Sequence, residues 1–134
     1  PRDRRQRQMC IRDSIYLICG PEKSNIAKTI IDKTSNKYFI DCSNKDLLGV
    51  ILALKQSSFF VGNNSGPLNL AAALGIKSFG LIANDPISEL KYSKIEIIKP
   101  DNYIDESRSR DRTGMKKLKP EKVYQVIIDK MDIS

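Results

Sequence analysis

The sequence predicts an α/β fold, a Rossmann-like parallel sheet with flanking helices, and three observations carry that reading. From Ile15 onward, short apolar runs alternate with segments of helical spacing. The turns between them are short and rich in Gly, Pro, Ser and Asn. No apolar run approaches the roughly 18 residues that a membrane-spanning helix requires, so the 134 residues have the size of one soluble domain with a single core. Strands alternating with helices at such spacing pair in parallel through right-handed crossovers.

Taken in order, "IYLIC" (15 to 19) is a continuous apolar strand that ends at Gly20-Pro21. "SNIAKTIIDK" then places Ile26, Ala27, Ile30 and Ile31 on one helical face behind a Ser24 cap. "KYFID" (37 to 41) is the second strand, "SNKDLLGVILALKQ" (43 to 56) the second helix and "SFFVG" (58 to 62) the third strand. "PLNLAAALG" is a helix closed by Gly75, where a left-handed residue can end it. "KSFGLI" (77 to 82) and "KIEII" (94 to 98) are further strands, and a last helix opens at Pro120 with Val123, Ile127 and Met131 at helical spacing. Tyr16, Tyr38 and Phe59 sit inside strand runs and are read as core.

The net charge is +7, a balance that can signal a polyanionic partner. Five arginines against two aspartates fall in residues 1 to 14, "PRDRRQRQMCIRDS", which have no period and no apolar centre of a signal peptide. The stretch reads as a disordered basic arm, and it resembles the peptide obtained when a sequencing adapter is translated. On that reading it is an artefact rather than a nucleic-acid-binding segment, and the natural sequence begins near Ile15. Cys10, Cys19 and Cys42 form no Cys-x-x-Cys pair and the chain has no histidine, which argues against a zinc-type metal site. Cys19 and Cys42 lie at strand ends and read as small buried hydrophobes of a reducing compartment.

"FVGNNSGPLNLAAALG" (60 to 75) is the stretch with chemistry in it. In a parallel sheet, ligands bind beyond the carboxyl ends of the strands, and "GNNSGP" is a strand-to-helix turn at such an end. Its glycines allow close backbone approach, and Pro67 fits a first-turn position where a missing N–H costs nothing. First-turn amides backed by the helix dipole favour a phosphate. The alternative is an ordinary polar turn capped by Asn64 or Ser65.

As a combined pattern, "FVGNNSGPLNLAAALGIKSFGLIANDP" resembles the signature of glycosyltransferase family 9, the ADP-heptose:lipopolysaccharide heptosyltransferases. There a strand leads into Asp-Ser/Thr-Gly-x-x-His, an Ala/Leu-rich helix, a strand and a Gly-x-Thr-x-Pro-type loop. "DCSNKDLLGVILALKQSSFFVGN" is similar to the preceding helix and strand, and "GMKKLKPEKVYQVI" to the closing helix, so the likeness spans most of residues 15 to 132. The resemblance implies a two-domain GT-B architecture of which residues 15–134 are part of the C-terminal, donor-binding domain, without its first strand and helix. It implies that Ser65, Gly66 and the Leu68 amide contact donor phosphates, that Asn64 and Asn69 face sugar and phosphates, and that Asn84 and Asp85 belong to a second phosphate-facing loop. Departures are plain: Asn64 stands where the family has Asp, Asn69 where it has His, Ala83 where it has Gly, and the second loop is one residue short. An amide still hydrogen-bonds but carries no charge and exchanges no proton.

The implied reaction is an inverting, metal-independent sugar transfer in the bacterial cytoplasm, next to the inner face of the inner membrane. The donor is a nucleoside-diphosphate sugar, ADP-heptose by resemblance, and the acceptor a lipid-linked saccharide of the lipopolysaccharide core. The family's general base lies in the acceptor domain, outside this chain, so no catalytic residue, cofactor or metal is assigned here and the chain alone is expected to be inactive. The intact parent is read as a monomer without a nucleic-acid partner. Arg108, Arg110 and Arg112 in "RSRDRTGMKK" read as a solvated loop, with contact to acceptor phosphates as the alternative. Two rival classes stay open: a degenerate, non-catalytic sugar-nucleotide-binding module, and a sugar-nucleotide 2-epimerase, which usually carries an acidic residue just after the turn where this chain has "PLNLAAAL".

Overall fold

The structure is a computed structural model, and it describes residues 14–34, 38–83, 95–101 and 112–131. The chain divides into two compact units, 1–58 and 59–134. Both contain parallel strands flanked by helices, as the alternating pattern predicts.

In the first unit, β1 (Ile15–Leu17) and β2 (Phe39–Asp41) pair in parallel, Ile15 opposite Phe39 and Leu17 opposite Asp41. The Ile15 N–H donating to the Tyr38 carbonyl and the Cys42 N–H donating to that of Leu17 extend the ladder at either end. A 3-10 turn, Pro21–Lys23, leads from β1 directly into α1 (Ser24–Thr34). Ser24 is therefore the first residue of the helix rather than a cap standing outside it. The expected buried face of α1 is also narrower than its apolar pattern: Ala27 is buried, Ile31 is half-buried, and Ile26 and Ile30 are exposed. An apolar hollow lined by Leu17, Ile18, Cys19, Ile26 and Ile30 lies beside β1 and α1.

Helix α2 runs from Leu47 to Lys55, shorter than the pattern suggests, because Asp46 caps it with its carboxylate accepting from the Gly49 N–H at 2.9 Å. The residues before Asp46 are used instead in a turn where the Ser43 N–H donates to the Asp41 carboxylate at 2.8 Å. Ala53 and Leu54 are buried, whereas Leu47, Leu48 and Leu52 are exposed. Tyr16 is half-buried with its hydroxyl donating to Gln56 Oε1 at 2.8 Å. Tyr38, read as core, lies at the surface, because it precedes β2 and only its backbone joins the sheet.

In the second unit, β3 (Phe59–Asn63), β4 (Lys77–Leu81) and β5 (Ile95–Ile98) form a parallel sheet in the order β3-β4-β5. Alternate strand residues point to opposite faces, and both faces are covered. On one, Leu68 from α3 (Gly66–Ala73) and Ile82 are fully buried against Phe60, Ile95 and Ile97. On the other, Phe79, Ile98 and Leu118 pack with Phe59, Val61 and the Val123, Ile127 and Met131 stripe of α4 (Pro120–Met131). Phe59 meets Phe79 edge to face with ring centroids 6.0 Å apart.

Two glycines shape this unit. Gly75, at φ 79°, takes the left-handed conformation that closes α3 and turns the chain into β4. At Gly80 a Cβ would lie 3.1 Å from Leu68 Cδ2 and 3.2 Å from Ile95 Cγ2, so the absent side chain lets α3 approach the sheet closely. A second 3-10 stretch, Arg112–Lys117, precedes α4 and drops Met115 into the same core as Leu118.

Candidate functional site

The register sets Asn63, Leu81 and Ile98 level with one another, so the ends of β3, β4 and β5 define one carboxyl edge of the second unit. Asn64 and Ser65 leave β3 at that edge, and α3 begins at Gly66. Ser65 is extended (φ −156°, ψ 171°) and occupies the cap position, but its hydroxyl donates back to the Asn63 carbonyl at 3.1 Å and does not cap the helix. Pro67 stands in the first turn and has no N–H to satisfy. Of the two caps that the sequence offers, Ser65 is thus not used. The first-turn amides of Gly66 and Leu68 receive no side-chain acceptor from the cap residue.

Around Gly66 the space is open: among the described residues, beyond its chain neighbours and the backbone of its own helix, no heavy atom lies within 4 Å of where a Cβ would sit. Ser65, Gly66 and Asn69 are exposed and Asn64 is half-buried. The Asn69 N–H donates to the Ser65 carbonyl at 3.3 Å, closing the first turn. Leu68 has a fully buried side chain, so only its backbone can meet a ligand. The structure therefore brings Asn64, Ser65, Gly66, Leu68 and Asn69 into one turn at the carboxyl edge. Asn84, Asp85, Arg108 and Arg110 lie outside the described residues, as does the side chain of Arg112.

Chemically, the turn can bind an anion but holds no acid, base or nucleophile. Both described cysteines are in the first unit, and burial pushes the thiols of Cys42 and Cys19 up, which makes them poor nucleophiles. Among the described residues no group of three His, Cys, Asp or Glu stands together to hold a metal. No helix of the described residues is long and apolar enough to cross a membrane.

Three features escaped the sequence reading. Asp41, at the end of β2, has its carboxyl held below the usual carboxylate range by the adjacent Ser43, whose N–H donates to it at 2.8 Å, while the buried Ser43 hydroxyl makes no hydrogen bond among the described residues. Asp101, three residues beyond β5, is held low by the Lys122 ammonium 2.6 Å away. The turn Met115–Lys119 turns Met115 and Leu118 inward and leaves Lys116, Lys117 and Lys119 exposed. The three-residue spacing of Met115 and Leu118 was the signal for it.

Parallel strands joined through flanking helices, with a glycine turn opening a helix at the carboxyl edge, define a Rossmann-like α/β protein. The family follows from the sequence: residues 6–112 match the sequence model of glycosyltransferase family 9 (heptosyltransferase), and the chain belongs to that family. That span contains the whole turn from Asn63 to Asn69 and stops short of α4. No curated protein matches the chain, and no solved structure does.

Proposed function

We propose that this chain is the nucleotide-sugar-binding part of an inverting glycosyltransferase that passes a heptose or related sugar from a nucleoside diphosphate to a lipid-linked saccharide of the lipopolysaccharide core. The observation that carries the reading is the first turn of α3, to which Ser65 gives no side-chain cap, open at Gly66 and set at the carboxyl edge of a parallel sheet. As the glycosidic bond breaks, negative charge grows on the departing diphosphate. Fixed amides at Gly66 and Leu68, backed by the α3 dipole, hold that charge more tightly than they hold the intact donor. Asn64 and Asn69 donate or accept hydrogen bonds to sugar hydroxyls. The acceptor hydroxyl loses its proton to a carboxylate of an acceptor domain outside this chain, and Asn84 and Asp85 supply the second phosphate-facing loop.

The same reading makes residues 15–134 part of a larger domain whose first strand and helix precede Ile15. Among the described residues β1 pairs on one edge only, and the apolar side chains Ile26 and Ile30 of α1 lie uncovered, which supports it. Turnover by the chain alone with donor and lipid acceptor would break this part of the proposal. A second reading, a non-catalytic sugar-nucleotide-binding module, draws on the amides at Asn64 and Asn69. Calorimetric titration with ADP tests the shared core of both. Gly66→Val is expected to block phosphate approach and weaken binding by about 1–3 kcal/mol, while Arg110→Ala leaves it unchanged. Equal binding by wild type and Gly66→Val removes the phosphate role of the turn. Asn64→Asp separates the two readings in the intact parent: preserved or higher turnover fits an active transferase, and weakened donor binding fits a repurposed site.

A further inference from the structure

Three described lysines of the second unit lie in salt-bridge range of a carboxylate, and three that share one turn do not. Lys77 and Lys130 lie 3.9 and 4.0 Å from the Glu96 carboxylate, and Lys122 lies 2.6 Å from Asp101. Lys116, Lys117 and Lys119 form no ion pair among the described residues. They share one short turn, and its geometry is fixed from beneath: Met115 and Leu118 are anchored against Phe79 and Ile98, and the Leu118 N–H donates to the Met115 carbonyl at 3.2 Å. With inward residues three apart, Lys116 and Lys117 between them and Lys119 after them are left exposed.

Their place in the unit is also defined. Lys122, in the first turn of α4, reaches Asp101 beyond the carboxyl end of β5, whereas Lys130, at the far end of α4, reaches Glu96 within β5. Helix α4 therefore runs against β5, and the turn that opens it stands at the carboxyl edge of the sheet, the edge that also carries Asn64 to Asn69. One large apolar side chain of this unit is exposed among the described residues, Tyr124, four positions into α4. Side chains on a helix lean toward its N-terminus, so its Cβ is tilted toward the end of α4 that the lysine turn precedes.

From this we infer that Lys116, Lys117 and Lys119, with the exposed Tyr124 of the helix they lead into, form a docking surface for an anionic lipid bilayer. Charge complementarity selects the occupant. Three ammonium groups on a rigid, outward turn suit a plane of phosphate headgroups, and a lone tyrosine with an apolar body and a polar tip suits the headgroup boundary. Two described carboxylates face the group, Glu121 in the first turn of α4 and Asp101, which Lys122 pairs with and Lys119 also attracts; against Lys116, Lys117, Lys119 and Lys122 they leave the cationic excess in place. The inference deepens the proposed reading, transfer to a lipid-linked acceptor, by giving the surface that meets the lipid: docking through this edge brings the donor turn to the membrane.

Co-sedimentation of the whole chain with phosphatidylglycerol-containing vesicles, against pure phosphatidylcholine vesicles, tests it. Binding is expected to anionic vesicles only and to weaken with salt. The triple variant Lys116→Gln, Lys117→Gln, Lys119→Gln is expected to lose affinity on the order of 100-fold, from roughly fivefold per lysine near a charged surface. The variant Lys28→Gln, Lys33→Gln, Lys55→Gln removes the same charge from exposed positions of the first unit and is expected to bind as wild type. Equal loss in both variants would reduce the effect to bulk net charge and overturn the inference. So would tighter binding to duplex DNA or RNA than to anionic vesicles, or displacement by millimolar inorganic phosphate at constant ionic strength. Circular dichroism of both variants separates misfolding from lost contact. ADP titration of the triple variant is expected to match wild type, so failure of diphosphate binding and failure of bilayer docking are read independently.

Discussion

The two units of this chain share a design and differ in how far they complete it. In the second, a three-stranded parallel sheet is covered on both faces, and Leu68, Phe79, Ile82 and Ile98 are all essentially inaccessible. In the first, two three-residue strands and their helices leave apolar residues largely at the surface: Ile15, Ile26, Ile30, Ile40, Leu47, Leu48 and Leu52 are exposed, against Tyr124 alone among the described residues of the second unit. Parallel sheets are stable when both faces are buried. A continuous apolar pattern therefore certifies an element but not its cover. The second unit supplies its own cover from α3 and α4, and the first does not.

The strongest way to break that comparison is to cut each core. Phe79→Ala removes the ring at the centre of the α4 face and should cost about 3–5 kcal/mol, measured by urea unfolding followed through tyrosine fluorescence, since the chain has no tryptophan. Leu48→Ala in the first unit deletes an exposed side chain and should change stability by no more than about 0.5 kcal/mol. A comparable loss in both would mean that the exposed face of α2 is buried in solution.

The same contrast explains what the sequence made legible. The elements themselves were readable from period and punctuation: the Val123, Ile127, Met131 stripe lies in the core, and Gly75 is left-handed where a helix stop was expected. Burial was readable only where the chain brings its own partners. Ile26 and Ile30 carry the right spacing for a buried stripe, but spacing says which residues share a face and not what meets that face. At the candidate site the order of residues gave the turn, because a strand, a polar bend, Pro67 and a small-residue helix allow few alternatives. That Ser65 does not cap the helix could not be read from it. A serine at the cap position normally accepts from the helix, and here it donates to Asn63 instead, a choice of rotamer that no spacing encodes.

Intermediate effects sharpen the comparison. Gly80→Ala should destabilise the second unit by about 1–3 kcal/mol through overpacking, because its Cβ would meet Leu68 and Ile95. Hydrogen exchange should show the loss in β4 and α3 first. Asp46→Ala removes the α2 cap from the Gly49 amide and should cost about 0.5–2 kcal/mol, read as faster exchange in α2. A Gly80→Ala protein as stable as wild type would show that α3 does not press on the sheet as closely as the structure has it.

The smallest effect concerns two carboxylates, one per unit, each beyond a strand end and each held below the usual carboxylate range by a different cause. Ser43 lowers Asp41, the contact that the geometry shows being its backbone N–H, and Lys122 lowers Asp101 through its hydrogen-bonded ammonium. A carboxyl whose folded value is depressed adds stability that is fully present above its unfolded value and is lost as pH falls through the folded one. Both groups should therefore withdraw their contribution on acidification below the ordinary carboxylate range, and neither should affect stability near neutrality. Salt tells them apart. A charge–charge contact at the surface is screened, whereas a hydrogen bond from a backbone amide is not. Carbon-detected NMR titration at low and at 1 M salt should show Asp101 moving up toward its ordinary value while Asp41 stays low. Lys122→Gln should raise Asp101 and leave Asp41 unmoved. If both carboxyls rise with salt, the Asp41 shift comes from the surrounding lysines rather than from Ser43, and the turn that ends β2 is looser than the 2.8 Å hydrogen bond makes it.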